Sequence, residues 1–98
     1  MWVIRSQAGA PAPCSFRLLP GNAKTLGRAA GADLILDASL VSRLHCRLTA
    51  GAAELEVEDL DSTNGTYVNG ARVSRAVMRS GDRLKIGHVE FVIEQDRQ

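Results

Sequence analysis

The residues whose types and spacing could do chemistry fall in four short pieces: Gly27-Arg28, Ser42-Arg43-Leu44-His45, Asp59-Leu60-Asp61-Ser62-Thr63-Asn64-Gly65-Thr66 and Asn69-Gly70. What these pieces offer is hydrogen-bond donors: guanidinium groups at Arg28 and Arg43, hydroxyls at Ser42 and Thr63, an amide at Asn64. The chain shows no nucleophile–base–acid set and no Gly-rich nucleotide loop, and 98 residues is short for a catalytic cleft, so an enzyme is not expected. His45 could in principle act as a base or metal ligand, but no nucleophile–acid pair stands beside it, and His88 is isolated in a turn. Cys14 and Cys46 match no zinc spacing and are too few for a disulfide framework. Cys46 alternates with Leu44 and Leu48 and reads as a buried small hydrophobe, whereas Cys14, beside Ala10-Pro11-Ala12-Pro13, reads as a loop thiol. Neither metal nor cofactor is expected. Taken singly, Arg28 is most simply a surface arginine; the donors become a site only if the fold gathers them.

The elements that must do the gathering are β-like. Short apolar runs recur at close intervals between Gly, Asp, Asn and Ser. Trp2-Val3-Ile4 and Phe16-Arg17-Leu18-Leu19 read as strands joined by the Gly9–Pro13 loop. Leu55 and Val57 alternate with Glu54, Glu56 and Glu58, which form a solvated face. Leu84 and Ile86 alternate with Arg83 and Lys85, and Val89, Phe91 and Ile93 with Glu90 and Glu94, so a last strand is expected to close a sheet edge. Asn69-Gly70, between Thr66-Tyr67-Val68 and Ala71-Arg72-Val73, predicts a type I′ hairpin, and Asn64-Gly65 carries the same chemistry. Gly81-Asp82 turns the chain into the strand from Arg83. From Ser39 to Leu48 the pattern fits a helix (Leu40, Leu44, Leu48) or a strand (Leu44, Cys46, Leu48); the neighbouring strands favour a loop through Ser42 and a strand from His45. Strands with one apolar face each call for two sheets packed face to face.

In order and spacing, the four pieces resemble the forkhead-associated (FHA) domain, whose pattern is Gly-Arg after a strand, Ser-x-x-His, then Ser/Thr-Asn-Gly-Thr followed shortly by Asn-Gly. The likeness continues through Gly81-Asp82-Arg83-Leu84-Lys85-Ile86-Gly87 to Phe91 and covers nearly the whole chain. It implies an all-β, two-sheet β-sandwich of about eleven strands, with loops at one end that bind phosphothreonine-containing peptides. A phosphothreonine carries a charge of about −1.5 to −2 and three acceptor oxygens, so it calls for donors rather than a base. On the resemblance, Arg28 offers a planar fork, Ser42 a hydroxyl and a backbone N–H, Thr63 a hydroxyl, and Arg43 a second charge at the rim. Asn64 suits the peptide backbone. Gly27 and Gly65 serve backbone geometry, His45 hydrogen-bonds the loops presenting Ser42 and Thr63, and Asn69 is a turn residue bracing the binding loop. Leu40 and Val41, just before Ser42, imply an apolar preference three residues after the phosphothreonine.

Composition narrows the partners. The chain is 45% hydrophobic, and its 12 basic against 11 acidic residues leave a net charge of +1. That balance argues against nucleic acid, even for the helical reading with Arg43 and Arg47 on one face, and against a membrane surface. No apolar run spans a membrane and the start lacks a signal peptide's pattern, so a cytoplasmic, single-domain, monomeric module over residues 1–98, open to being part of a longer protein, is expected. The expected partner is a phosphothreonine protein made by a Ser/Thr kinase. The competing reading is a phospho-independent interaction or oligomerisation module of the same fold.

Overall fold

The computed structural model describes residues 1–9 and 13–96; residues 10–12 of the expected first loop lie outside the described residues. Eleven strands follow one another: β1 Trp2–Ala8, β2 Ser15–Leu18, β3 Ala23–Gly27, β4 Leu34–Ile35, β5 Cys46–Ala50, β6 Leu55–Asp59, β7 Thr66–Val68, β8 Ala71–Val73, β9 Arg75–Met78, β10 Arg83–Ile86 and β11 Val89–Gln95. They form a six-stranded sheet in the order β2-β1-β11-β10-β7-β8 and a five-stranded sheet in the order β4-β3-β5-β6-β9. The two sheets make the all-β sandwich that the alternating runs require.

The alternation sorts side chains as the period of two demands. In β5, Cys46, Leu48 and Ala50 are buried while Arg47 and Thr49 are exposed; in β10, Leu84 and Ile86 are buried while Arg83 and Lys85 are exposed. Trp2, Ile4, Leu48, Leu55, Met78 and Phe91 lie in the core with no exposed surface. The Trp2 indole N–H donates to the Gly51 carbonyl at 2.8 Å, tying one sheet to a turn of the other. Burial pushes the Cys46 thiol up to about 12, so it behaves as a small hydrophobe. Cys14 lies in the β1–β2 loop as expected, half-buried against the core, where its backbone N–H donates to Ser6 Oγ and its carbonyl accepts the Ser6 N–H, at 2.9 Å each.

One expectation needs correction. The last strand, β11, does not close an edge; it lies between β1 and β10, pairing with β1 over Glu90–Gln95 and with β10 over Val89–Val92. The segment 39–48 follows the favoured reading of a loop through Ser42 and then a strand: it is irregular up to β5, which begins at Cys46, and the His45 N–H already donates to the Leu26 carbonyl at 2.8 Å.

Glu54 is exposed, and Glu56 and Glu58 do more than face solvent: Glu58 pairs with Arg47 at 3.3 Å and with Arg75 at 3.2 Å, and Glu56 with Arg75 at 3.8 Å.

Candidate functional site

Arg28 follows the end of β3. Gly27 before it sits so close to the β4–β5 loop that a Cβ there would stand 2.1 Å from the Arg43 carbonyl oxygen. Its φ is not in the left-handed region, so glycine is required for close approach rather than for conformation. That approach lets the backbone N–H groups of Arg28 and Ala29 donate to the carbonyls of Ser42 and Arg43 at 3.0 and 3.1 Å. Arg28 Nε then donates to the Val41 carbonyl at 3.1 Å. With Nε committed, the part of the guanidinium left for a ligand is the end-on fork of its terminal amino groups. Arg28 and Arg43 line one open depression of about 390 Å³, together with Ala29, Ala30 and Asp37. Sequence reasoning did not single out Asp37, which reaches the depression through the fold alone.

Ser42 joins two loops. Its Oγ accepts the Thr63 N–H at 3.0 Å, so the hydroxyl proton stays free to donate. Its backbone N–H is not free, contrary to the expectation that it would serve the ligand: it donates to His45 Nδ1 at 3.0 Å. Because Nδ1 accepts there, the ring proton sits on Nε2, which donates to the Gly65 carbonyl at 2.9 Å. His45 is fully buried, and burial holds its pKa below the usual imidazole value against the opposing effects of the Gly65 carbonyl and Asp59. A neutral imidazole thus bridges the β4–β5 and β6–β7 loops. Val41 is 2% exposed and belongs to the core, which leaves Leu40, 43% exposed, as the outward-facing member of that pair; Leu44 in the same loop is exposed too.

The β6–β7 loop carries Thr63 and Asn64, both exposed. Asn64 Nδ2 donates to the Leu40 carbonyl at 3.0 Å, which fixes the amide beside the β4–β5 loop and leaves its oxygen available. Beneath the loop is a polar knot that sequence reasoning did not assign. Asp59 accepts the hydroxyls of Ser62 and Thr66 at 2.5 and 2.7 Å and the Ser62 N–H at 3.1 Å, while Ser62 Oγ accepts the Gly65 N–H at 3.0 Å. Desolvation pulls the Asp59 pKa up, but the hydrogen bonds from Ser62 and Thr66, with His45 nearby, outweigh it and hold the carboxyl below its usual range. The Asp-x-x-Ser spacing, which lets a carboxylate accept the N–H three residues on as helix N-caps do, was the available signal.

Arg28, Ser42, Arg43, His45, Thr63, Asn64 and Gly65 are therefore linked at one end of the sandwich by hydrogen bonds or a shared depression. Asn69 is not with them. Its side chain holds Asp82 at 3.2 Å and the Arg83 N–H at 2.9 Å, at the far end of β7, so it braces the entry to β10 and not the loop at 61–65. Asn64-Gly65 also departs from the expected turn chemistry: Gly65 has φ 88°, but the other left-handed residue in this loop is Asp61, at 61°.

The sequence profile of the FHA domain matches residues 24–87. The chain is 40% identical over 74 residues to an ABC transporter ATP-binding/permease protein of Mycobacterium tuberculosis, covering 76% of this chain and 9% of that protein. It is 40% identical over 75 residues to an oxoglutarate dehydrogenase inhibitor of Corynebacterium glutamicum, and 39% identical over 75 residues to the glycogen accumulation regulator GarA of Mycolicibacterium smegmatis. Those two alignments cover 76% of this chain and 52% and 48% of the relatives, so the chain spans about half their length or less. Among solved structures, the FhaA FHA domain complexed with the intracellular domain of Rv3910 superposes with a TM-score of 0.84 at 29% identity, over 96% of this chain and 100% of that one. The FHA domain of CT664 from Chlamydia trachomatis has the same fold, with a TM-score of 0.88 at 24% identity over 98% of both chains. With its profile match, its relatives and its fold in agreement, this chain belongs to the forkhead-associated (FHA) domain family.

Proposed function

We propose that this domain is a non-catalytic signalling module that binds phosphothreonine-containing segments of partner proteins at the loop end of the sandwich. The observation that carries the reading is the hydrogen-bonded chain from Arg28 through Val41 and Ser42 to Thr63. It fixes these residues relative to one another while leaving the Arg28 amino groups and the Ser42 hydroxyl proton unspent among the described residues. Arg28, Ser42 and Thr63 take the phosphate, Arg43 adds charge from the rim of the depression it shares with Arg28, and Asn64 takes the peptide backbone. Gly27, His45 and Gly65 hold the loops. Leu40 favours an apolar residue after the phosphothreonine.

The partner is the product of a Ser/Thr kinase. A regulatory role fits the names of the enzyme inhibitor and the glycogen regulator to which the chain is similar. No helix among the described residues is long and apolar enough to cross a membrane. The near-neutral charge argues for a protein partner over nucleic acid or a membrane surface, and the reading needs only a cytoplasmic monomer.

Charge-assisted hydrogen bonds of about 1.5–3 kcal/mol each, less the cost of ordering the peptide, give a Kd on the order of micromolar, about −8 kcal/mol. The threonine methyl adds only about 0.8 kcal/mol by burial, so strong discrimination against phosphoserine requires the methyl to set the phosphate's rotamer as well. The test is a titration of wild type and Arg28→Ala with matched peptides bearing phosphothreonine, phosphoserine or unmodified threonine. Micromolar binding of the phosphothreonine form, lost in the variant, is expected. Equal binding of the unmodified peptide would overturn the reading and favour the phospho-independent module.

A further inference from the structure

The outward face of β7, β8 and β10 carries cations that no ion pair found among the described residues engages, although Glu90 stands opposite Lys85 in the strand register. Arg72, Tyr67 and Lys85 are register neighbours across these three strands, Tyr67 opposite Arg72 and Lys85 opposite Tyr67. Lys85 Nζ stands 5.4 Å from the Tyr67 ring centroid, and Arg83 leaves the sheet on the same face as Lys85. No ion pair found among the described residues includes Arg72, Arg83 or Lys85. Tyr67, Arg83 and Lys85 line a depression of about 270 Å³ whose one carboxylate belongs to Glu90.

This face runs directly into the loop site. The space a Gly65 side chain would occupy is filled by Arg72 and Tyr67: a Cβ there would lie 2.8 Å from Arg72 Nε and 3.2 Å from Tyr67 Cε1. The guanidinium therefore lies one residue from Asn64. On the other side, Gly87 at the end of β10 packs on the Leu40 carbonyl. Since β10 and β8 flank β7 in the sheet, Leu40 and Arg72 stand on opposite sides of Asn64-Gly65.

We propose that this face is a second recognition surface, which takes an acidic side chain of the same partner segment at Arg72, on the side of Asn64-Gly65 opposite Leu40, with Lys85 farther along the face. The inference rests on the phosphothreonine reading of the loop site. An extended peptide advances about 3.3 Å per residue, so positions two to four residues from the phosphothreonine lie about 7–13 Å from it, the same scale as the two strand spacings, about 10 Å, from Arg72 to Lys85. Arg72 and Lys85 meet the carboxylate while Tyr67 supports its stem. Glu90 makes the far end of the face unwelcoming to a continuous polyanion, and a net charge of +1 gives no long-range field to attract one.

The experiment compares Kd at low ionic strength for phosphothreonine peptides carrying Asp or Asn at these positions on each flank. In wild type, acid on one flank should tighten binding by about three- to tenfold, fading as salt rises. The ratio of the two Kd values should fall to about one in Arg72→Glu, and fall in Arg72→Gln (which keeps more of the packing on Gly65) and Lys85→Glu, by loss of the pairing charge. Arg47→Glu, on the other sheet, should keep the wild-type ratio. Equal Kd values for acidic and neutral flanks in wild type, or a preference that survives both Arg72→Glu and Lys85→Glu, would overturn the proposal while leaving the loop site standing. A single-stranded oligonucleotide that binds through Arg72 and Lys85, with no peptide preference, would assign the face to nucleic acid instead. Failure of wild type to bind any phosphothreonine peptide would overturn the loop-site reading, and this inference with it.

Discussion

The dipeptide Asn-Gly occurs at both ends of β7, and its two copies behave differently. At 69–70 both residues are left-handed, with φ of 50° and 87°, Val68 pairs with Ala71, and a Cβ on Gly70 would meet nothing within 4 Å. This is the type I′ hairpin that the residue pair favours by itself. At 64–65 only the glycine is left-handed, and three polar groups there are engaged elsewhere: Asn64 Nδ2 with Leu40, the Gly65 N–H with Ser62, the Gly65 carbonyl with His45. The strands flanking the first pair can zip together, whereas the second is captured by groups 20 or more residues away in sequence, at Leu40 and His45. Identical local chemistry makes a turn in one place and a loop of the candidate site in the other, and tertiary contact decides which.

The sharpest way to break this contrast is to remove the captor. His45→Ala should cost about 3 kcal/mol, because it leaves a cavity and strips partners from the Ser42 N–H and the buried Gly65 carbonyl, and should abolish phosphopeptide binding. Chemical denaturation and titration report the two effects, and a loss under about 1 kcal/mol would show that the loops hold themselves. Next come the glycines. Gly65→Ala and Gly70→Ala share a φ near 88° and 87°, so both pay backbone strain of about 1 kcal/mol. Only Gly65→Ala also pushes against Arg72 and Tyr67, which should add about 1 kcal/mol. Equal melting shifts would mean that this packing contributes nothing.

The asparagines should then separate by observable. Asn64→Ala should weaken binding about tenfold with little change in melting, while Asn69→Ala should cost about 1 kcal/mol of stability, through Asp82 and Arg83, and leave Kd unchanged. The reverse pattern would exchange the roles of the two ends. The smallest effect is with pH. His45 binds its proton less readily in the folded chain than at the unfolded value of 6.5, so its contribution is complete above pH 6.5 and is lost as pH falls from there through the folded value. For one group the slope cannot exceed about 1.4 kcal/mol per pH unit. Melts taken downward from neutral pH should show this slope in wild type and a flatter one in a His45 variant.

How much of this could be read beforehand depends on what is local. Strand faces, the hairpin at Asn69-Gly70 and the chain of motif pieces are written in short-range period and turn chemistry, and the sandwich follows from them. Alternation says which side of a strand is buried but not which strands stand beside it, so β11 was expected at an edge and lies in the middle. In the irregular stretch before β5 no period exists, so nothing distinguished buried Val41 from exposed Leu40. The site's donors were identifiable by type. Their availability was not, because it depends on partners such as His45 Nδ1 for the Ser42 N–H and Val41 for Arg28 Nε. Asp59 and Ser62 had a local signal in their spacing, and it went unused.

The antiparallel pairing of β1 with β11 has a mechanical consequence. Trp2 is opposite Gln95, and the Met1 amino group donates to the Asp96 carbonyl at 3.2 Å, while the Asp96 N–H donates to the Met1 carbonyl at 2.8 Å. The two ends of this pair emerge together beside Gly51, Ala52 and Ser80, on the pole away from Arg28 and Thr63. A chain tethered through both ends would hang the domain from a single point, with the loop site facing outward. Tension applied there would load the ladder one rung at a time, because its bonds lie across the strands, so the fold would peel rather than shear. The site would be shielded from a gentle pull and would be among the last parts to feel a strong one.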